Sequence, residues 1–189
     1  MTPFALSSPA LTLSPPTPDD AARVAEYCTD PDFESLLTIP WPYTPAHAVT
    51  FVTDFVPRGW ETGREVTWAL REHADGPLIG LISLRFETIA AGMLGYWLGA
   101  PHRRLGHMSE AVRLVTEWAF GPQGGGLQQL RWECIVGNVA SAALARSSGF
   151  GFTGTGPADV RARDGGRPES WHGVLDRLDS RDEKAGWPL

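Results

Sequence analysis

The spacing of apolar and polar positions divides the chain into segments of two periods. Alternation bounded by turn residues predicts strands at Glu65–Glu72, Leu78–Arg85 and Gly92–Leu98. The Ala74-Asp75-Gly76-Pro77 turn between the first two makes an antiparallel meander the natural reading. From Gly106 to Phe120 the period becomes helical: Ala111, Leu114, Val115 and Trp118 fall at i, i+3, i+4 and i+7, and Glu110, Arg113 and Glu117 face away. A strand is expected at Gln128–Val136. It is followed by a short helix capped by Asn138 and stopped by Gly149, with apolar Phe150 behind it in a Schellman-like pattern. Two more strands, Phe152–Val160 and Glu169–Arg177, flank the Asp164-Gly165-Gly166 turn. Upstream lie the apolar run Leu11–Leu13, a helix from Pro18 to Tyr27 or Cys28 capped by Thr17, and a proline–aromatic loop at Thr38–Thr44. Thr44 then caps a helix over Pro45–Val56. The charged segment Asp179–Leu189 is expected to fray. The order β-α-α-β-β-β-α-β-α-β-β predicts an α/β or α+β sandwich with a mostly antiparallel sheet, its two later helices crossing over on either side of one strand.

Composition narrows the class. With 189 residues the chain fits one domain large enough to hold a core without staples, with 11–177 as its body. Cys28 and Cys134 stand far apart with no CxxC or Cys/His cluster, which suits a reducing compartment. A net charge of −6 argues against a general nucleic-acid binder. No basic region precedes the apolar residues of Met1–Ala10, so no signal peptide is expected; the most apolar window, Ile89–Pro101, is too short to span a bilayer. No membrane association is therefore expected, and a cytoplasmic location follows. The 21 glycines and 16 prolines fall mostly at element boundaries, which makes them turn punctuation rather than a sign of disorder.

Two turns can carry chemistry. At Tyr96–Ala111 (YWLGAPHRRLGHMSEA) a strand ends and Arg103-Arg104-Leu105-Gly106-His107-Met108 opens the long amphipathic helix. Such a turn aims unpaired backbone N–H groups and the positive end of a helix dipole at one spot, the outline of a pyrophosphate site. Gly106 allows close approach, and Arg103 and Arg104 supply charge-assisted contacts. The plain alternative is an ordinary basic helix entry. The second turn is Asn138-Val139-Ala140-Ser141, where the Asn caps a helix and can offer its amide to a ligand, with the Ser141 hydroxyl near the same cleft; simple capping is the alternative.

Taken together, these pieces resemble the GNAT superfamily of acyl-CoA-dependent N-acyltransferases, most closely its RimJ/RimL-like branch. The resemblance rests on Gly95-Tyr96-Trp97-Leu98, on Arg103 to Met108 as the R/Q-x-x-G-x-G/A loop, on Ser109-Glu110-Ala111, on Asn138 to Ser141, and on Ser148-Gly149-Phe150. Thr38–Thr44 is similar to the proline–aromatic loop of that branch. One departure is Met108 where Gly or Ala is usual. The resemblance implies a V-split sheet with acetyl-CoA as co-substrate between the strands ending at Leu98 and Val136. Its pyrophosphate would rest on the amides of Arg104 to Met108, and its pantetheine arm would pair with the backbone of Trp97 and Leu98. It also implies direct attack of the amine on the thioester, with an oxyanion donor near Leu98. The family's thiolate acid is often a Tyr in the short helix, but the matching residue here is Ala145. The role then passes to Ser141 or to water. Glu133 lies five residues before Asn138, where RimI-like members carry a base; Glu87 and Asp159 are alternatives, and a solvated Glu133 is the plain reading.

Trp41, Tyr43, Phe86 and Trp97 are aromatic candidates for the acceptor cleft, against a core role for each. His102 and His107 flank the phosphate turn. The five histidines have no metal-binding spacing, so no metal is expected. Gly149–Gly154 matches GxGxxG but opens a strand, and no GxSxG elbow or Gly-Lys-Ser/Thr loop exists. The expected activity is acetyl transfer to a primary amine, either a protein N-terminus or a small molecule such as an aminoglycoside. A non-catalytic acyl-CoA-binding module is the competing class. The acceptor, the acyl chain and the oligomeric state, with a homodimer as one option, stay open in the sequence.

Overall fold

A computed structural model describes Met1–Leu189. The chain forms β1 (Leu6–Ser7), β2 (Thr12–Ser14), α1 (Ala21–Tyr27), α2 (Asp32–Leu36), α3 (Pro45–Thr50), α4 (Val56–Thr62), β3 (Glu65–Arg71), β4 (Gly80–Phe86) and β5 (Ala91–Leu98). It continues with α5 (His107–Phe120), β6 (Gln129–Ile135), α6 (Val139–Ser147), β7 (Gly151–Pro157) and β8 (Glu169–Asp176). The eight strands make one sheet in the order β1-β2-β3-β4-β5-β6-β8-β7. Every pairing is antiparallel except that of β5 with β6, where α5 makes the crossover.

That parallel pair positions the site. β5 and β6 are bonded only along Ala91–Leu94 and Gln129–Trp132. Beyond Leu94 and Trp132 they part, so Gly95–Leu98 and Glu133–Ile135 face each other across a gap, the V expected from sequence. Residue parity sorts the two faces. Val66, Trp68, Ile82, Leu84, Leu94 and Trp132 pack with Met108, Ala111, Val115 and Trp118 of α5 and with Ala142 and Ala145 of α6. Ala69 and Leu81 on the opposite face pack with α1, Phe33 of α2 and Ala48 of α3.

The predicted elements appear with small shifts, and four features differ. β1 and α2 are short and proline-flanked, giving no periodic signal. The helix predicted to end at Val56 continues to Thr62, because a π turn over Phe51–Phe55 lets the Val56 N–H reach Phe51 O before Pro57, which has no N–H to donate. Phe150 N–H to Ala145 O and Gly149 N–H to Arg146 O complete the Schellman pattern, at 3.1 and 3.0 Å, with Gly149 at φ +87°. Last, the expected fraying of Asp179–Leu189 is corrected. The segment has no regular secondary structure, yet Trp187 packs on Trp132 and Phe152 and donates to Phe150 O at 3.3 Å, and Arg181 lies over Phe120. No helix is long and apolar enough to cross a membrane.

Candidate active site

A crevice of about 860 Å³ runs through the gap between β5 and β6 and is lined from both faces of the sheet. On the side of α5 and α6 it is lined by Tyr96, Cys134, Asn138 and Ser141, and on the opposite side by Glu65, Ser83, Trp97 and Glu133. Backbone polarity inside the gap follows from register. The Gly99 N–H donates to Ile79 O, so Trp97 and Gly95, which share its direction, turn their N–H and C=O groups to β4. Tyr96 and Leu98 turn theirs into the gap. This corrects the expectation that Trp97 pairs through its backbone: the available pair is Tyr96 and Leu98, and Trp97 contributes its indole, packed on Tyr27 and Phe33.

At the mouth of the gap, Arg104 (φ +64°) and Gly106 (φ +84°) adopt left-handed conformations that curl the turn into the first turn of α5. The amides of Arg104, Leu105, Gly106, His107, Met108 and Ser109 donate to no protein acceptor. They form a cluster of donors at the positive end of a 14-residue helix. A Cβ at Gly106 would meet nothing within 4 Å, so the amides stand open to approach. Arg104 is exposed and free of ion pairs. Arg103 departs from its expected role: its Nε donates to Leu98 O at 3.2 Å, and its guanidinium pairs with Asp30 and lies over Phe33, tying α2 to the end of β5. His107 offers its amide to the turn while its ring stands 3.3 Å from the Glu72 carboxylate; His102 contacts Tyr27. The Met108 side chain is buried in the core, so the residue that departs from the family pattern leaves the donor cluster unobstructed. Leu105 is exposed beside it.

Across the gap, Asn138 Oδ1 accepts the Ser141 N–H at 3.2 Å, the predicted cap, and its amide nitrogen is left without a protein partner. Ser141 Oγ donates to the Tyr96 hydroxyl at 3.3 Å, and that hydroxyl donates in turn to Ser141 O at 3.1 Å. Tyr96 is the polar residue that sequence reasoning missed. Its parity with Leu94 and Leu98 puts the phenol on the α6 side of the gap, a signal already present in the strand's alternation. Burial holds its pKa above the ordinary tyrosine value, and the same cause pushes the Cys134 thiol up to about 12.

Glu133 also lines the crevice, with both oxygens engaged: they accept the Asp159 and Val160 amides at 2.7 and 3.0 Å. It thereby fastens the β7–β8 loop, which also reaches α2 through Arg163 to Glu34 O. The alternatives Glu87 and Asp159 are both paired with Arg131. Trp41, Tyr43 and Phe86 do not line the crevice, correcting their expected acceptor role. Trp41 and Tyr43 pack on the α1–α3 cluster, and Phe86 shares the α5 face and meets Trp118. Phe51 and Phe55, stacked 5.6 Å apart by the π turn, take that place. No group of three or more metal-ligating side chains is present.

Residues 10–151 match the family profile described as "Acetyltransferase (GNAT) domain". The "Probable N-acetyltransferase YjcK" of Bacillus subtilis is 30% identical over 105 residues, 53% of this chain and 56% of that protein, so the match spans little more than half of that relative. A "putative ribosomal-protein-serine acetyltransferase" from Vibrio cholerae superposes with a TM-score of 0.81 over 93% of this chain and 99% of that one, at 23% identity. The ribosomal alpha-N-protein acetyltransferase RimL, in complex with coenzyme A, has a TM-score of 0.76 over 92% and 98% of the two chains, at 19% identity. At these identities the structural likeness speaks for the fold.

Proposed function

Because the chain belongs to the acetyltransferase (GNAT) family, we propose that it transfers an acetyl group from acetyl-CoA to a primary amine, by direct attack within a ternary complex. One observation carries the reading: the cluster of free amides at Arg104–Ser109 opens onto a gap that joins both faces of the sheet. The amides suit a pyrophosphate, and Arg104 adds charge. From there the pantetheine arm follows the gap-facing N–H of Leu98, whose carbonyl is held by Arg103, and the backbone of Tyr96 like an added strand, with the Asn138 amide facing it. This brings the thioester to the point where β5 and β6 part, and the amine enters from the opposite face.

Co-substrate and acceptor supply the reacting atoms, so this chain's residues orient, stabilise and move protons. A gap-facing N–H of Tyr96 or Leu98 is aimed at the oxygen that gains charge as the amine adds to the carbonyl. As the C–S bond breaks, Ser141 Oγ turns its proton from the Tyr96 hydroxyl to the thiolate sulfur, and Tyr96 turns its own from Ser141 O to Ser141 Oγ and is reprotonated from solvent, so a strand phenol does the work for which Ala145 on α6 has no group. Glu133 orders the acceptor side of the crevice and presents negative charge to an incoming ammonium.

The acceptor we favour is a protein N-terminal amine, supported by the extension of the crevice to the second face of the sheet and by the names of the structural neighbours. A cytoplasmic location goes with this reading. Thiol release from acetyl-CoA, measured against peptides and small amines, tests it: release with peptides is expected, and CoA binding without turnover on any amine would contradict it.

A further inference from the structure

The reaction needs a group to take the proton of the incoming ammonium, and Glu133, with both oxygens on backbone donors, is poorly placed for that task. On the acceptor side of the crevice one other carboxylate has neither an ion-pair partner nor a backbone donor. Glu65 opens β3 opposite Arg85 of β4, and Ser83, two residues back on β4, is the register partner of Gly95. Gly95 is the first residue of β5 beyond the pairing with β6. Because it lacks a side chain, Ser83 Oγ stands 3.4 Å from where its Cβ would be. Glu65, Ser83 and Gly95 thus run as one line across the sheet to the parting of the strands, and all three line the crevice.

We propose that Ser83 and Glu65 form the proton relay of the acceptor amine, an inference that rests on the acetyl-transfer reading above. The ammonium N–H bond breaks and its proton passes to Ser83 Oγ, which releases its own proton to the Glu65 carboxylate. The freed nitrogen lone pair forms the bond to the thioester carbonyl carbon, and the C–S electron pair leaves with sulfur. Burial raises the Glu65 pKa above the usual carboxylate value, opposed by the Ser83 hydroxyl and Arg85, which makes it a better proton acceptor than a solvated glutamate. The charged surroundings are few. Arg85 faces it from β4 but is itself drawn to Glu87, α4 packs against it through Gly59, and Asp32 of α2 and Glu133 of β6 lie along the same crevice.

The test is the pH profile of kcat/KM for wild type, Glu65→Gln, Glu65→Asp, Ser83→Ala and Glu133→Gln, using a peptide acceptor, with CoA affinity and Tm measured for each. The peptide amine titrates near 8, away from the carboxylate limb. Wild type should lose activity as pH falls through the raised Glu65 pKa. Glu65→Gln should lower kcat/KM by about 100-fold or more and abolish that limb at unchanged CoA affinity, Glu65→Asp should restore part of the rate with the limb, and Ser83→Ala should fall between. Glu65→Gln retaining both rate and limb, or Glu133→Gln removing the limb instead, would overturn the relay and leave the acetyl-transfer reading standing. Wild type bound to CoA yet silent on every amine would overturn both.

Discussion

At the scale of single residues, the site depends on groups whose chemistry is local enough to perturb one at a time. Gly106→Glu puts bulk and negative charge among the open amides of the Arg104–Ser109 turn. It should weaken CoA binding by about 100-fold or more, read by calorimetry with Tm as the folding control. Ser141→Ala should lower kcat by about 10–100-fold while leaving the KM for acetyl-CoA within about threefold, and Tyr96→Phe should fall in the same direction because it removes the proton behind Ser141. The placement of Gly106, Asn138 and Ser141 on the crevice was legible in the sequence because helix caps and left-handed turns need those residue types at those spacings. Tyr96 was hidden among apolar neighbours. Trp41, Tyr43 and Phe86 misled for a physical reason: a large aromatic ring reads the same whether it waits for a substrate or, as here, completes a core.

Among the elements, the later strands and helices were readable because periodicity and stop signals agreed. The α6 terminus shows how strongly one glycine can fix a junction. Gly149 has φ +87°, and a Cβ there would sit 2.7 Å from the Arg181 Cα. Gly149→Ala should therefore cost at least about 1–2 kcal/mol and lower Tm by roughly 3–8 °C in thermal unfolding. The helical stretch after Thr44 was harder to read. Pro57 signals a stop, and only the π turn, invisible to a 3.6-residue pattern, carries the chain past it and stacks Phe51 on Phe55 at the crevice. Glu133 belongs to this scale as well. Sequence placed it at the site, but its two backbone partners lie on a loop 26 and 27 residues away, a contact no local pattern reveals.

In the whole molecule, the sheet order follows from simple rules: hairpins make the meander, and the α5 crossover makes the one parallel pair. The V itself is a non-local outcome, since nothing in β5 or β6 alone marks where they separate. The C-terminal segment is a similar case. Its charge suggested fraying, yet Trp187 closes over Trp132 and Phe152 at the far edge of the core. Trp187→Ala should thus destabilise the fold by about 1–3 kcal/mol, and an unchanged Tm would restore the frayed reading. The same long-range assembly brings the Arg104–Ser109 turn, the strand gap and α6 into one crevice. Amide NMR during titration with CoA tests that arrangement most directly. The largest shifts are expected at Leu105 to Ser109 and at Tyr96 and Leu98; shifts confined to the groove between Met1–Ser7 and α5, with the turn unmoved, would contradict this arrangement.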